Sequence, residues 1–163
     1  MEHKELPSSD EVDLDILAVL SKDGKAKYHH IAEKLGKSPI TIKSHIDKLE
    51  ESGIIKNYGI QIDYEKLGYN IIAVIEITIS KGKMLEIEKE IAENPNVFGV
   101  YDITGDYDAL ILARFKSRFE LSAMVKKIHA SPYVEGTNTH LILNVIKEGS
   151  SFDELLLKEK LKT

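Results

Sequence analysis

The sequence predicts an α+β protein: an N-terminal three-helix helix-turn-helix domain joined by a linker strand to a ferredoxin-like βαββαβ domain. Three observations carry that expectation. Apolar residues recur at helical spacing in three stretches before Gly53, and from Tyr69 onward four stretches of period two alternate with two helical ones. The pattern P-x-V-x-G occurs twice, as Pro95-Asn96-Val97-Phe98-Gly99 and Pro132-Tyr133-Val134-Glu135-Gly136, each time after a helix and opening a strand. The expected divisions are 1–53 for the helical domain, 54–68 for a linker strand and turn, 69–148 for the second domain and 149–163 for a tail.

Residues 1–9 read as a loose polar leader. The first helix runs from about Asp10, a good N-cap, to Ser21, with Val12, Ile16, Leu17 and Leu20 on one face. Lys22-Asp23-Gly24-Lys25 is a turn. Ile31, Ala32 and Leu35 mark a short second helix, Gly36 supplies a left-handed cap, and Ser38-Pro39 is an N-cap with proline at N1 for a third. That helix carries Ile42, Ile46 and Leu49 as an apolar stripe, so the three helices share one core.

The other side of the third helix is polar. Thr41, Ser44, His45 and Lys48 form a row without carboxylates, and these groups donate readily to phosphates and base edges. Because the major groove admits one helix, residues 39 to 52 read as a recognition helix with Ser38, Pro39, Thr41, Lys43, Ser44, His45 and Lys48 as its DNA-binding residues. An ordinary helical hairpin with a solvated face fits the same pattern.

Charge distribution adds to the first reading. The chain has a formal net charge of −5, yet residues 22–56 hold eight lysines against five carboxylates, a net +3, while residues 1–21 hold one lysine against six, a net −5. So small an excess predicts modest affinity per copy and favours an assembly that adds half-sites together. The two arginines, Arg114 and Arg118, lie outside the segment, so readout falls to hydroxyls, His45, lysines and DNA shape.

Beyond Gly53, Ile54 to Asp63 alternates as a strand, followed by a turn at Tyr64 to Gly68. Ile71, Ala73, Ile75, Ile77 and Ile79 then alternate with Ile72, Val74, Glu76, Thr78 and Ser80. Lys83 to Asn94 is helical with Met84, Ile87, Ile91 and Ala92 inward, Val97 to Thr104 a strand, Gly105-Asp106-Tyr107 a hairpin turn and Ala109 to Phe115 another strand. Phe119 to Ala130 is helical with Leu121, Met124, Val125 and Ile128 inward, and Val134 to Ile146 is the last strand. Two βαβ halves make a sheet covered by helices on one face. Its other face exposes Ile72 and Val74 with some of Leu110, Leu112 and Leu141 to Val145, so self-association is expected. Ser151 and Glu154 have capping-box spacing for a short C-terminal helix.

Several classes are excluded. No cysteine is present, which removes disulfides, thiolate metal sites and cysteine nucleophiles. No apolar run approaches the roughly 20 residues of a membrane span, and MEHKELPSSDE lacks the features of a signal peptide, so a cytoplasmic protein without membrane contact is expected. His29, His30 and His45 lack metal-ligand spacing, with His29 expected partly packed and His30 solvated; His129 and His140 stand in no triad. No phosphate loop exists, so neither catalytic residues, metal ligands nor cofactors are expected.

In Thr104-Gly105-Asp106-Tyr107-Asp108 a glycine allows close approach while two carboxylates suit an α-amino group or a basic side chain. Thr137 and Thr139 add hydroxyls on the last strand, and Tyr101 and Tyr107 are candidate lining residues. The plainer reading is a hairpin turn with threonines and tyrosines filling strand positions.

The stretches VDLDILAVL, IAEKLGKSPITIKSHIDKLEESGIIKNYGIQID, LGY, TGDYDALI and VEGTNT, in that order over about residues 10 to 148, resemble the Lrp/AsnC family of bacterial and archaeal transcription regulators. The resemblance implies a sequence-specific regulator of double-stranded DNA that reads a pseudo-palindromic operator and responds to an amino acid or related small molecule. It also implies homodimers built sheet against sheet, often assembled into tetramers or octamers, with the effector bound where dimers meet. The family's pocket is lined by the hairpin and last strand, which assigns Tyr101, Thr104, Gly105, Asp106, Tyr107, Asp108, Thr137 and Thr139 to the effector. Where the family usually carries arginine before the second apolar residue of the recognition helix, this chain has His45, which makes mild pH dependence of DNA binding an expectation. Some haem-biosynthesis decarboxylases resemble the same family, and an enzyme of that kind is the alternative. Such an enzyme needs arginines and histidines around an anionic tetrapyrrole, and two arginines supply this poorly. A ligand-buffering module with an idle helix-turn-helix is a third reading.

Overall fold

The computed structural model describes residues 10–80, 82–149 and 152–160. The polar leader and the Ser151 cap lie outside them. The chain divides into two compact units, residues 1–61 with 147–163, and residues 62–146.

The first unit contains α1 (Glu11–Lys22), α2 (Tyr28–Leu35), α3 (Pro39–Glu51) and α6 (Phe152–Lys160). Asp10 and Asp13 close a reciprocal capping box on α1. Gly36 ends α2 at φ 63°, a conformation that costs a side-chain-bearing residue, and Ser38 caps α3 by accepting from the Thr41 N–H at 3.1 Å. Ile16, Ile31, Ala32, Ile42, Ile46 and Leu49 bury their side chains together, which is the core the apolar spacing predicts. α6 packs on α1, with Leu156 buried and Asp153 paired with Lys22 at 2.5 Å.

The second unit contains β1 (Ile71–Ile79), α4 (Met84–Ala92), β2 (Val97–Asp102), β3 (Ala109–Phe115), α5 (Arg118–His129) and β4 (Val134–Ile142), in the expected βαββαβ order. The four strands form an antiparallel sheet in the order β2-β3-β1-β4. Ala73, Ile75, Ile77, Ala109, Ile111, Ala113 and Phe115 meet Ile87, Ile91, Leu121, Met124 and Ile128 in its core. The P-x-V-x-G repeat has a physical meaning here. In each copy the residue between valine and glycine, Phe98 or Glu135, is the extra residue of a β-bulge, because Val97 and Gly99 oppose Ala113 and Leu112 while Val134 and Gly136 oppose Ile79 and Thr78.

Four expectations need correction. Ile54 to Asp63 forms no strand, since nothing among the described residues offers its backbone a ladder partner; Ile54, Ile60 and Ile62 are exposed. The last strand stops at Ile142 because its register partner is Ile72, next to the first residue of β1. Met84 and Ala92 are exposed, and the buried position on α4 beside Ile87 and Ile91 is Glu88. His29 is exposed like His30, and the two rings stack at 5.4 Å rather than one packing inward.

On the open face of the sheet, register places Ile72, Val74 and Glu76 beside Arg114, Leu112 and Leu110 on one side and Ile142, His140 and Asn138 on the other. Leu141 pairs with Ala73 and points to the helix face instead. Among the described residues no helix is long and apolar enough to cross a membrane.

Candidate nucleic-acid interface and effector site

Burial of Ile42, Ile46 and Leu49 fixes the rotation of α3 and turns Lys43, Ser44 and Lys48 to solvent. Ser38 and Pro39 are exposed at its start, where the Ser38 and Thr41 hydroxyls bond each other at 2.9 Å. Lys43 reaches Asp47 one turn on at 2.5 Å, and that carboxylate raises the lysine's pKa. Glu50 accepts a hydrogen bond from the Tyr58 hydroxyl at 2.8 Å. Burial and then this bond push Tyr58 up to about 12.

His45 differs from the row that sequence spacing gave it. Its Nδ1 lies 2.8 Å from Asp13 Oδ1 and 3.9 Å from Asp10 Oδ1, and the ring is largely covered. The row is therefore free of carboxylates only along α3 itself, because the acidic start of α1 packs against it. His45 joins two helices and is not presented to solvent with Ser44 and Lys48. Asp10, Asp13 and His45 each bring a ligand atom within 4.8 Å of the others, although spacing alone pairs no histidine with them. Ile40, which is not among the expected DNA-binding residues, is 83% exposed at the second position of α3. Its signal was legible: an isoleucine off the buried stripe at a helix start. An apolar side chain there suits the methyl group of thymine.

At the hairpin, Gly105 adopts φ 128°, a conformation that side-chain-bearing residues rarely take, and a Cβ there would meet no atom of the subunit within 4 Å. Thr104, Gly105 and Asp106 form an exposed tip, with Tyr107 and Asp108 half-buried at its base. Asp108 is built into the sheet end: its N–H donates to Ile77 O at 2.9 Å, its carbonyl accepts from the Ile103 N–H at 3.0 Å, and Oδ2 accepts from the Ile79 N–H at 2.7 Å.

The remaining candidates do not converge with this hairpin inside one subunit. Thr137 and Thr139 sit on the helix face of β4, opposite Ile77 and Ile75, and the Thr137 hydroxyl bonds His129 Nε2 at 2.7 Å. Tyr101 pairs with Leu110 on the open face of β2, at the other edge of the sheet, with its ring over Gly99. A methyl group on Gly99 would meet that ring at 2.7 Å. Asp108 and Thr137 do share one end of the sheet, flanking Ile77.

Residues 72–152 match the family described as Lrp/AsnC ligand binding domain, and residues 9–56 match winged helix-turn-helix DNA-binding. The chain is 41% identical over 139 residues to an uncharacterised HTH-type transcriptional regulator of Pyrococcus abyssi, covering 85% of this chain and 95% of that one. It is 40% identical to the HTH-type transcriptional regulator FL11 of Pyrococcus horikoshii, with coverages of 85% and 92%. Among solved structures, AsnC of E. coli superposes with a TM-score of 0.83 at 25% identity, covering 88% of this chain and 98% of that one. A Neisseria meningitidis transcriptional regulator in complex with L-Met superposes with a TM-score of 0.81 at 24% identity, covering 88% and 96%.

Proposed function

The chain belongs to the Lrp/AsnC family of transcriptional regulators, and from that premise we propose that α3 is its recognition helix, with Ser44, Lys48, Lys43 and Ile40 facing the major groove. The observation that carries this reading is the exposure of those four side chains on the side opposite a fully buried Ile42 and Ile46. Ser38, Pro39 and Thr41 set the helix start against the phosphate backbone, where unpaired N–H groups attract anions. His45 holds α3 to α1 through Asp13 and acts on DNA binding by position.

The protein works in the cytoplasm as a homodimer. Ile72, Val74, Leu110, Leu112 and Ile142 leave a half-exposed apolar face that a second copy covers. The alternating residues from Ile54 to Asp63, which form no strand within the subunit, gain a ladder partner in the same step. Two recognition helices then fall about 34 to 36 Å apart, or a multiple of that, on a pseudo-palindrome. The effector is an amino acid or related small molecule, in keeping with the L-Met complex of the Neisseria relative. Since Thr137 and Thr139 do not meet Tyr101 and the 104–108 hairpin within one subunit, the pocket is completed between subunits. The effector shifts the assembly only by its differential affinity for the two states.

Gel-shift titration of Ser44→Ala and Lys48→Ala tests the helix placement. Both variants weaken operator binding at unchanged oligomer size, and Lys48→Ala, which removes one lysine from each of two subunits, lowers the salt dependence of log K by about two. Wild-type affinity in both variants would contradict it.

A further inference from the structure

Asp47 lies on the outward side of α3, among the side chains assigned to the major groove. Burial of Ile42, Ile46 and Leu49 fixes the rotation of the helix. At about 100° per residue, Asp47 falls seven positions after Ile40 and within about 20° of the same line, and that line runs between those of Lys43 and Ser44. The Asp47 side chain is 43% exposed, and its Oδ2 lies 2.5 Å from Lys43 Nζ. Glu51 continues the line at the last residue of the helix, away from the N-terminal turns with which such helices read bases.

An ion pair four residues apart also occurs on solvated helices, where it serves the helix alone. Here the lysine comes first and the acid follows in the C-terminal half of α3, the order that stabilises a helix less. The groove gives the carboxylate a clearer use. Guanine presents O6 and N7 there, thymine presents O4, and adenine sets N7 beside its N6 donor; cytosine presents an N4–H₂ donor and no acceptor. An ionised aspartate accepts and cannot donate, and its two oxygens carry about four lone-pair positions. Lys43 takes Oδ2 and offsets the negative charge against nearby phosphates, while Oδ1 serves as acceptor toward a base.

We propose that Asp47 is a specificity-determining residue of the recognition helix, accepting a hydrogen bond from cytosine N4 in each half-site while Lys43 holds the carboxylate in place. This role rests on the reading of α3 as the helix in the major groove, and adds to it the identity of one base pair.

Competition gel shifts test it. Duplexes selected by the full chain are remade with each of the four base pairs at every position and competed, at one stated salt, for wild type, Asp47→Ala, Asp47→Asn and Ser44→Ala. Wild type is expected to favour a C·G pair at one position per half-site by roughly tenfold, the worth of one charge-assisted hydrogen bond. Asp47→Ala lowers that preference below about threefold and keeps the others. Asp47→Asn, whose amide matches adenine N6 and N7, moves the preference at that position toward A·T. Circular dichroism melts show that each variant is folded, and should one of the Asp47 variants unfold, the other decides. A wild-type motif from both Asp47 variants would overturn the proposal, whether or not their melting temperatures change. So would an affected position at which wild type prefers A·T or T·A, or an affinity gain equal on every duplex, which would make Asp47 a repelling charge only. Relaxation of a position by Ser44→Ala beside unchanged motifs from both Asp47 variants removes the base contact and keeps the recognition helix. An unchanged motif from all three variants, or no motif from wild type, removes the helix placement as well.

Discussion

Replacing Asp108 separates two roles that the sequence left entangled, the anchoring of a hairpin and the recognition of an effector. Its Oδ2 accepts from the Ile79 N–H at 2.7 Å, and Ile79 is 6% exposed, so removing the carboxylate leaves a main-chain donor at the covered end of β1 without a partner. A hydrogen bond to a charged group contributes about 1.5–3 kcal/mol, and an orphaned buried donor costs about 1–3 kcal/mol. Asp108→Ala therefore destabilises the chain by about 2–3 kcal/mol. At about 2–4 °C per kcal/mol for a chain of this size, the melting temperature falls by roughly 4–12 °C. Asp108→Asn keeps a carbonyl acceptor and loses the charge, so it costs under about 1 kcal/mol. Urea unfolding followed by circular dichroism at pH 7 measures both, and effector-dependent gel shifts on the stable Asn variant report the second role alone. Equal stability of the Ala and Asn variants would refute the anchoring argument. An unaltered effector response in Asp108→Asn would leave Asp108 as a turn residue only.

Other consequences follow from burial and register. With Glu88 held near 7 against an ordinary 4.5, the folded chain keeps a proton that the unfolded chain has released, so stability falls as pH rises from about 4.5 to 7 and levels off above it. The fall approaches about 1.4 kcal/mol per pH unit at its steepest, and Glu88→Gln flattens it; a Glu88-independent slope in denaturant midpoints across that range would contradict the burial argument. Leu112→Lys places a charge in the centre of the open sheet face and shifts the protein toward smaller species in sedimentation velocity, whereas an unchanged distribution would place the interface elsewhere.

Local rules wrote much of the fold into the chain. Ser38-Pro39 and Gly36 delimit α2 and α3 because caps act over one turn, and the Ile42, Ile46, Leu49 stripe fixes which side of α3 is free. The alternation from Ile71 to Ile79 placed the covered face of β1, and the P-x-V-x-G repeat marked two bulges, though their bulged character appears only once partner strands are in register. What escaped depends on distant partners. His45 is turned from the solvent row by Asp13, 32 residues away, and periodicity along α3 carries no trace of it. The strand predicted at Ile54 to Asp63 has no ladder partner among the described residues, and alternation along a segment does not say whether a partner lies beside it. Glu88 was legible only as a glutamate at a position that α4 buries, between Ile87 and Ile91. The candidate effector residues were grouped by resemblance, and sheet order sets Tyr101 and the two threonines on opposite edges.

Selection of bound duplexes from random sequence, at stated salt and with the full-length chain, meets the central claim head-on. The account predicts enrichment of a pseudo-palindrome with half-sites about one helical turn or a multiple apart, and relaxed preference at the same base positions when Ser44 or Ile40 is replaced by alanine. Recovery of no sequence above bulk competitor, or an identical motif from the substituted proteins, would contradict it.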